Sequence, residues 1–158
     1  MKTITKLILL LGMIFSPTIN AQDNQKVLAK LIITDANIDG FDATPEIQAN
    51  DTYTIFYTIE NDDLLYMANV MSKKNSQSYG HVYNWREKYN AETIDQYKSN
   101  IFTFNWRYTN TYDGKSGTCR GELVIIHKPQ GVVTSLTLIT EDLRVIVYKG
   151  YMDGTLNF

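Results

Sequence analysis

Alternation of apolar and polar side chains is the main pattern along the chain. The strongest example places Phe102, Phe104, Trp106 and Tyr108 at every second position. Because side chains of a β-strand point alternately to opposite faces, this spacing puts all four rings on one face. Residues 52–59 alternate in the same way, which predicts a second half-buried strand.

Similar segments predict eight strands, at 26–33, 52–59, 64–70, 79–85, 102–109, 118–127, 132–140 and 143–149. Short connections between them favour an antiparallel sheet. We expect a mostly all-β fold, either an eight-stranded antiparallel up-and-down barrel or a strongly curved sheet, with one short helix. The alternative is an α+β open antiparallel sheet with a helix on one face. The helix is expected over about 91–98, where Asn90 suits an N-cap and Lys98 suits the C-terminal end of the helix dipole.

The first 21 residues have the pattern of a secretory signal peptide. Lys2 and Lys6 precede an apolar run over 7–15, and Ala21 is a small residue at a plausible cleavage point. The run is shorter than the ~20 residues that cross a bilayer. We therefore expect residues 1–21 to be removed and residues 22–158 to form a single β-rich domain that is secreted or periplasmic.

Charge and cysteine content narrow the function classes. The chain has a net charge of −2, and removal of Lys2 and Lys6 makes the mature domain more acidic, which argues against nucleic-acid binding. Cys119 is the single cysteine, so an intrachain disulfide is impossible. Gln22, rather than a cysteine, stands directly after the predicted cleavage point, so no lipid attachment and no membrane anchor is expected. The core must therefore hold the domain together.

The strand order, the eight-strand count and the segment 39–44 after the first strand resemble small secreted lipocalin-like β-barrel proteins of bacteria. The resemblance implies a barrel architecture that can hold a small ligand. The Gly-x-Trp signature of lipocalins is absent from the first strand, 26–33, so the resemblance transfers no functional residue to this chain.

One segment matches a calcium-loop pattern. Asp35, Asn37, Asp39, Gly40 and Glu46 have the required spacing, and calcium prefers several oxygen ligands. A β-like segment precedes the pattern where a calcium-binding hand would have a helix. The favoured interpretation is therefore an Asp-Gly turn between strands, with no metal or other cofactor expected, and a calcium site is the alternative.

Aromatic side chains are the best candidates for a binding site. Tyr79, His81, Tyr83 and Trp85 are expected to share one face of the fourth strand, and Phe102–Tyr108 supply a second aromatic face. Aromatic rings suit a flat or apolar ligand, although they also form ordinary β-domain cores. The predicted ligand-binding residues are Tyr83, Trp85, Phe104 and Trp106.

Catalytic patterns are missing from the sequence. His81 and His127 have no evident partner, and neither a nucleophile elbow nor a phosphate loop occurs. The sequence therefore predicts a non-enzymatic binding domain for a small apolar or aromatic molecule. The alternative is a protein-interaction module, either an inhibitor or an accessory subunit of an envelope complex. The partner would be an unknown small molecule in the first case and an envelope protein in the second.

Overall fold

The computed structural model describes residues 24–94 and 97–156. The predicted signal peptide, 1–21, lies outside these residues. The described strands are β1 (Gln25–Ile38), β2 (Phe41–Asp42), β3 (Thr52–Ile59), β4 (Asp62–Met71), β5 (Ser76–Ile94), β6 (Tyr97–Asn110), β7 (Ser116–Lys128), β8 (Gly131–Thr140) and β9 (Val145–Gly154). Helix α1 spans Thr44–Ala49, and a 3-10 turn spans Ser72–Lys74.

The sheet closes on itself. Strands β1 and β3 to β9 pair antiparallel in chain order, and β9 pairs back with β1. The closing ladder extends from Ala29, opposite Gly154, to Ile38, opposite Ile146. The result is an eight-stranded up-and-down antiparallel barrel, with the two-residue β2 added beside the end of β1. The predicted barrel is thus confirmed, and the open α+β sheet is not the observed architecture.

The barrel interior is a packed apolar core. Phe102, Phe104, Trp106 and Tyr108 all belong to it, as their alternation predicts. The largest fully buried apolar side chains are Leu31, Phe56, Met67, Leu123, Leu136 and Leu138. Burying one such side chain contributes roughly 1.5–3 kcal/mol, so this core is the main source of stability in a domain whose single cysteine is unpaired.

The two ends of the barrel differ. Helix α1 covers the end at which β3 begins, and its Ile47 is buried in the barrel core. Pro45 lies in the first turn of the helix, and the Asp42 carboxylate accepts a hydrogen bond of 2.9 Å from the Thr44 N–H. At the other end, where β1 begins and β9 finishes, the described residues leave a cavity. No helix in the described part of the chain is long and apolar enough to cross a membrane.

The prediction of a helix over 91–98 is wrong. Residues 91–94 end β5, and Tyr97 and Lys98 begin β6, with Thr93 opposite Lys98 and Ile94 opposite Tyr97. Residues 95 and 96 lie outside the described residues. Pairing with a neighbouring strand outweighs the weak helical preference of this segment, because propensity is easily overridden by tertiary context.

Candidate functional site

The four predicted ligand-binding residues do not lie together. Phe104 and Trp106 are buried in the barrel core, and Trp85 packs against the same core from the open end. Tyr83 instead lies on the outer surface, where its ring stacks on His81 at 5.8 Å between centroids. The expectation that Tyr83 and Trp85 share a face is wrong.

A β-bulge separates Tyr83 from Trp85. Asn84 has a φ of 54°, and the pairing register between β5 and β6 shifts between Tyr83 and Arg86. An extra residue in one strand turns the following side chain to the other face. Asparagine is one of the few residues other than glycine that adopts this left-handed conformation readily. The bulge therefore delivers Trp85 to the interior while Tyr83 stays outside.

The open end of the barrel contains a cavity of about 560 Å³. This volume lies within the range of ~300–1,000 Å³ that is usual for small-molecule sites. We call it the mouth cavity. It is lined by Trp85, Glu87, Asn100, Phe102, Ile125, His127, Val132, Met152, Gly154, Thr155 and Leu156.

One wall of the mouth cavity is aromatic. The Trp85 ring stacks on Phe102 with centroids 4.8 Å apart and on Phe104 with centroids 5.4 Å apart, each at an interplanar angle of 24°. Phe56 meets the edge of Trp85 at 6.1 Å. Stacked and edge-on rings of this kind hold one another in place. The wall is therefore built before any ligand arrives.

Polar side chains form the rim of the mouth cavity. The Asn100 amide Nδ2 donates to Glu87 Oε1 at 2.8 Å, and the Asn100 Oδ1 lies 3.0 Å from His127 Nε2. Since the amide oxygen can only accept, the His127 Nε2 carries the proton in this arrangement. The cavity thus combines an apolar wall with one hydrogen-bonded series of polar side chains, which is the usual composition of a small-molecule site.

The rim residues were not predicted from the sequence. Asn100 follows the alternation of Phe102 and Phe104 and could have been found by extending it backwards along β6. Glu87 lies two residues after Trp85 on β5, beyond the predicted end of that strand at residue 85, and its side chain is exposed at the rim. His127 was considered only as a catalytic residue and had no evident partner in the sequence.

A second concave surface lies on the outside of the barrel. Tyr57 and Tyr66 stack there at 5.5 Å, and Tyr66 contacts His81 at 5.8 Å. The Tyr66 hydroxyl donates to Asp62 at 2.6 Å, and this hydrogen bond raises the pKa of Tyr66 to about 12. The depression has a volume of about 650 Å³. We call it the tyrosine groove; its wall includes Val27, Tyr53, Ile55, Tyr57, Tyr66, Ala68, Val70 and Tyr79.

His81 and Cys119, two reactive side chain types, lie outside the mouth cavity. His81 lies between the rings of Tyr66 and Tyr83 on the outer surface. Cys119 is buried opposite Trp106, and burial raises the pKa of its thiol to about 12. A thiol held in its neutral form is a poor nucleophile. Neither residue is part of the mouth cavity.

The calcium-loop residues are distributed over three elements. Asp35 and Asn37 lie in β1, and the Asn37 Oδ1 accepts a hydrogen bond from the Gly40 N–H at 2.8 Å. Asp39 accepts from the Arg144 guanidinium at 3.0 Å and from the Val145 N–H at 2.8 Å, which lowers the pKa of its carboxyl. Glu46 lies on α1, 3.4 Å from Lys74. Among the described residues, no three His, Cys, Asp or Glu side chains converge as a metal site would require.

The described chain is thus an eight-stranded up-and-down antiparallel β-barrel, consistent with a lipocalin-like fold, with a helix covering one end and a cavity at the other. Comparison with models of protein families, with curated proteins and with solved structures found no match. The barrel and its cavities therefore carry the functional argument by themselves.

Proposed function

We propose that this protein is a non-enzymatic binding protein that holds a small, partly apolar molecule in the mouth cavity. The observation that carries the proposal is the joint presence of a preformed aromatic wall and a hydrogen-bonded polar rim around about 560 Å³ of space. The apolar body of the ligand would lie against Trp85 and Phe102. Its polar group would face Asn100 and His127.

The location of the cavity supports the same proposal. Most of the barrel is filled by its own side chains, with Phe104 and Trp106 each only 3% exposed. Neither residue lines the cavity: Phe104 supports the aromatic wall by stacking on Trp85, and Trp106 belongs to the packed core. Trp85 and Phe102, which are partly buried, can meet a ligand directly.

The proposal includes a location outside the cytoplasm. We take residues 1–21 as a signal peptide, and the released domain as secreted or periplasmic. N-terminal sequencing of the protein exported by its natural host tests this assignment. We expect a mature chain that begins at Gln22, and recovery of intact Met1 would contradict it.

Native mass spectrometry of the protein purified from its natural host tests ligand binding. We expect a bound small molecule that is released on unfolding. Trp85→Leu should abolish or strongly weaken rebinding of the released molecule, because it removes the centre of the aromatic wall. Tyr83→Leu is the matched control, since it removes a neighbouring ring from the outer surface of the same strand. Absence of any bound molecule, or equal loss in both variants, would refute the proposal.

The tyrosine groove supports a second candidate function, a protein-interaction module of the cell envelope. Val27 is 54% exposed and Tyr79 is 41% exposed at this groove, so the surface offers apolar anchors to a partner. A pull-down from envelope extracts should then recover one protein with the native chain and lose it with Tyr79→Asp. The control is Tyr112→Asp, which changes an exposed tyrosine away from the groove. Equal recovery with both variants would exclude this function for the groove.

A further inference from the structure

The charge of the mouth cavity restricts the ligand that it can hold, and this inference rests on the proposed function. Among the described residues that line it, Glu87 is the one charged side chain when histidine is counted as neutral. No lining residue in that set is Lys or Arg. An anionic group placed in the cavity would therefore face a carboxylate and no lysine or arginine of the described lining.

The two lysines that follow rim residues in the sequence, Lys88 after Glu87 and Lys128 after His127, each contact a group outside the cavity lining. Lys88 extends its ammonium to Glu122, 3.6 Å away, and Lys128 places its ammonium 5.3 Å from the centre of the Tyr97 ring. Neither lysine lines the cavity. The carboxylate of Glu87 is in turn fixed in position by the Asn100 amide.

The aromatic wall adds a second attraction for positive charge. Tryptophan is the most favourable ring for cation–π contact, and Trp85 lies in the same wall as Glu87 on β5. The apolar side chains Ile125, Val132, Met152 and Leu156 line the same cavity and can pack against the apolar body of a ligand, whereas the Glu87 side chain is exposed to solvent at the rim.

We propose that the mouth cavity selects organic cations, that is, amines or quaternary ammonium compounds with an apolar or aromatic body. The cation would lie beside the Glu87 carboxylate, and the apolar body would pack along Trp85 and Phe102. Asn100 and His127 hold the rim in the geometry that presents the carboxylate. The site thereby distinguishes ligands by the charge of their polar group.

Three probes with the same ring and different polar groups test this selection. They are 2-(1-naphthyl)ethylammonium, 2-(1-naphthyl)ethanol and 1-naphthylacetate, each titrated into the full mature protein by isothermal calorimetry at neutral pH. We expect the ammonium compound to bind roughly tenfold more tightly than the acetate, with the alcohol between them.

Glu87→Gln is the decisive variant. It keeps an oxygen that can accept from Asn100 but removes the charge, so it should reduce the preference for the ammonium probe over the acetate to less than about threefold. Glu122→Gln removes the same charge from the outer surface and should leave all three affinities unchanged. Matching thermal melts of the variants and the native protein establish that the fold is retained.

The outcomes separate this inference from the proposed function. If the acetate binds as tightly as the ammonium compound, or if Glu87→Gln leaves the preference intact, selection for cations is refuted while the binding function stands. If no probe binds and no natural molecule copurifies, both are refuted. If the ammonium preference is present and depends on Glu87 but not on Glu122, the inference is supported.

Discussion

Gly121 on β7 is expected to be essential for the packing of the aromatic wall. A β-carbon added there would lie 2.3 Å from Phe104 Cζ and 2.4 Å from its Cε2. Carbon atoms in contact are normally separated by ~3.5–4.0 Å, so the ring would have to move by more than ~1 Å. Phe104 is only 3% exposed and is held by Trp85 and Phe56, at centroid distances of 5.4 and 6.2 Å.

The Gly121→Ala variant should therefore be destabilised by overpacking. Inserting a methyl group into a well-packed core costs typically ~1–3 kcal/mol, and we expect a loss of that size in the free energy of unfolding. Urea denaturation followed by tryptophan fluorescence measures it, with an unchanged dependence on denaturant as the sign that the two end states are the same. The displaced ring would also press on Trp85 and change the mouth cavity.

A double-mutant cycle identifies the cause. Phe104→Leu alone should destabilise by loss of buried surface, but in its presence Gly121→Ala should cost much less, because the conflicting ring is gone. The two substitutions should thus couple by more than ~0.5 kcal/mol. Additive effects, or a Gly121→Ala variant as stable as the native protein, would refute the reasoning.

Three further predictions concern other parts of the barrel. Cys119, with a pKa raised to about 12 by burial, should resist thiol reagents at pH 8 until the protein is unfolded, and rapid labelling of the folded chain would contradict this. Because the thiol ionises at a lower pH in the unfolded chain, its burial stops favouring the fold as the pH rises above about 9. Guanidinium-induced unfolding should therefore show lower stability at pH 10 than at pH 8. Ile47→Ala should lower the free energy of unfolding by ~2–4 kcal/mol, measured by urea denaturation, because it removes the side chain that α1 buries in the barrel core. The exposed control Gln48→Ala should change the free energy of unfolding by less than ~1 kcal/mol, and equal effects would contradict the role of Ile47 in the core. The hydrogen bonds from the Val145 N–H and the Arg144 guanidinium lower the pKa of Asp39, so they stabilise the fold above its unfolded pKa and are lost as the pH falls through its folded pKa. Asp39→Asn should therefore reduce the fall in melting temperature at acid pH. An unchanged fall would contradict the stabilising role of the Asp39 carboxylate.

Periodicity predicted the barrel because most strands keep a strict alternation. Phe102, Phe104, Trp106 and Tyr108 face inward together, as their spacing requires. Alternation did not establish which face of β3 is inside. Its Tyr53, Ile55 and Tyr57 face the outer tyrosine groove, whereas Thr52 and Thr54 are buried in the barrel.

The site was only partly predictable because it depends on a local break in the alternation. The sequence around Asn84 is compatible with a regular strand, and only the positive φ turns Trp85 inward. Regular alternation through this point places Trp85 with Tyr83 on one face, and the predicted strand ends at residue 85, before Glu87. A bulge is fixed by pairing with β6, which a single strand's pattern does not contain.

The helix was misplaced for a related reason. Residues 91–98 have charges in helical order but lie in a hairpin, where cross-strand pairing determines the structure. The true helix begins beside Pro45, and Glu46 lies in its first turn, which are ordinary signals of a helix start.

The pairing of β1 with β9 has a consequence for how the barrel is made. These strands are the first and the last of the described sheet, and each contributes one side of the closing ladder. Contacts between distant parts of a chain form late, because a large loop must close before they are gained. The edge of β1 therefore stays open until β9 arrives, and an exposed strand edge is a site at which other chains can add. Fast pairing of β1 with β9 therefore protects the folding chain from aggregation. Substitutions in these two strands should lower the yield of folded protein by more than the loss in their free energy of unfolding would predict.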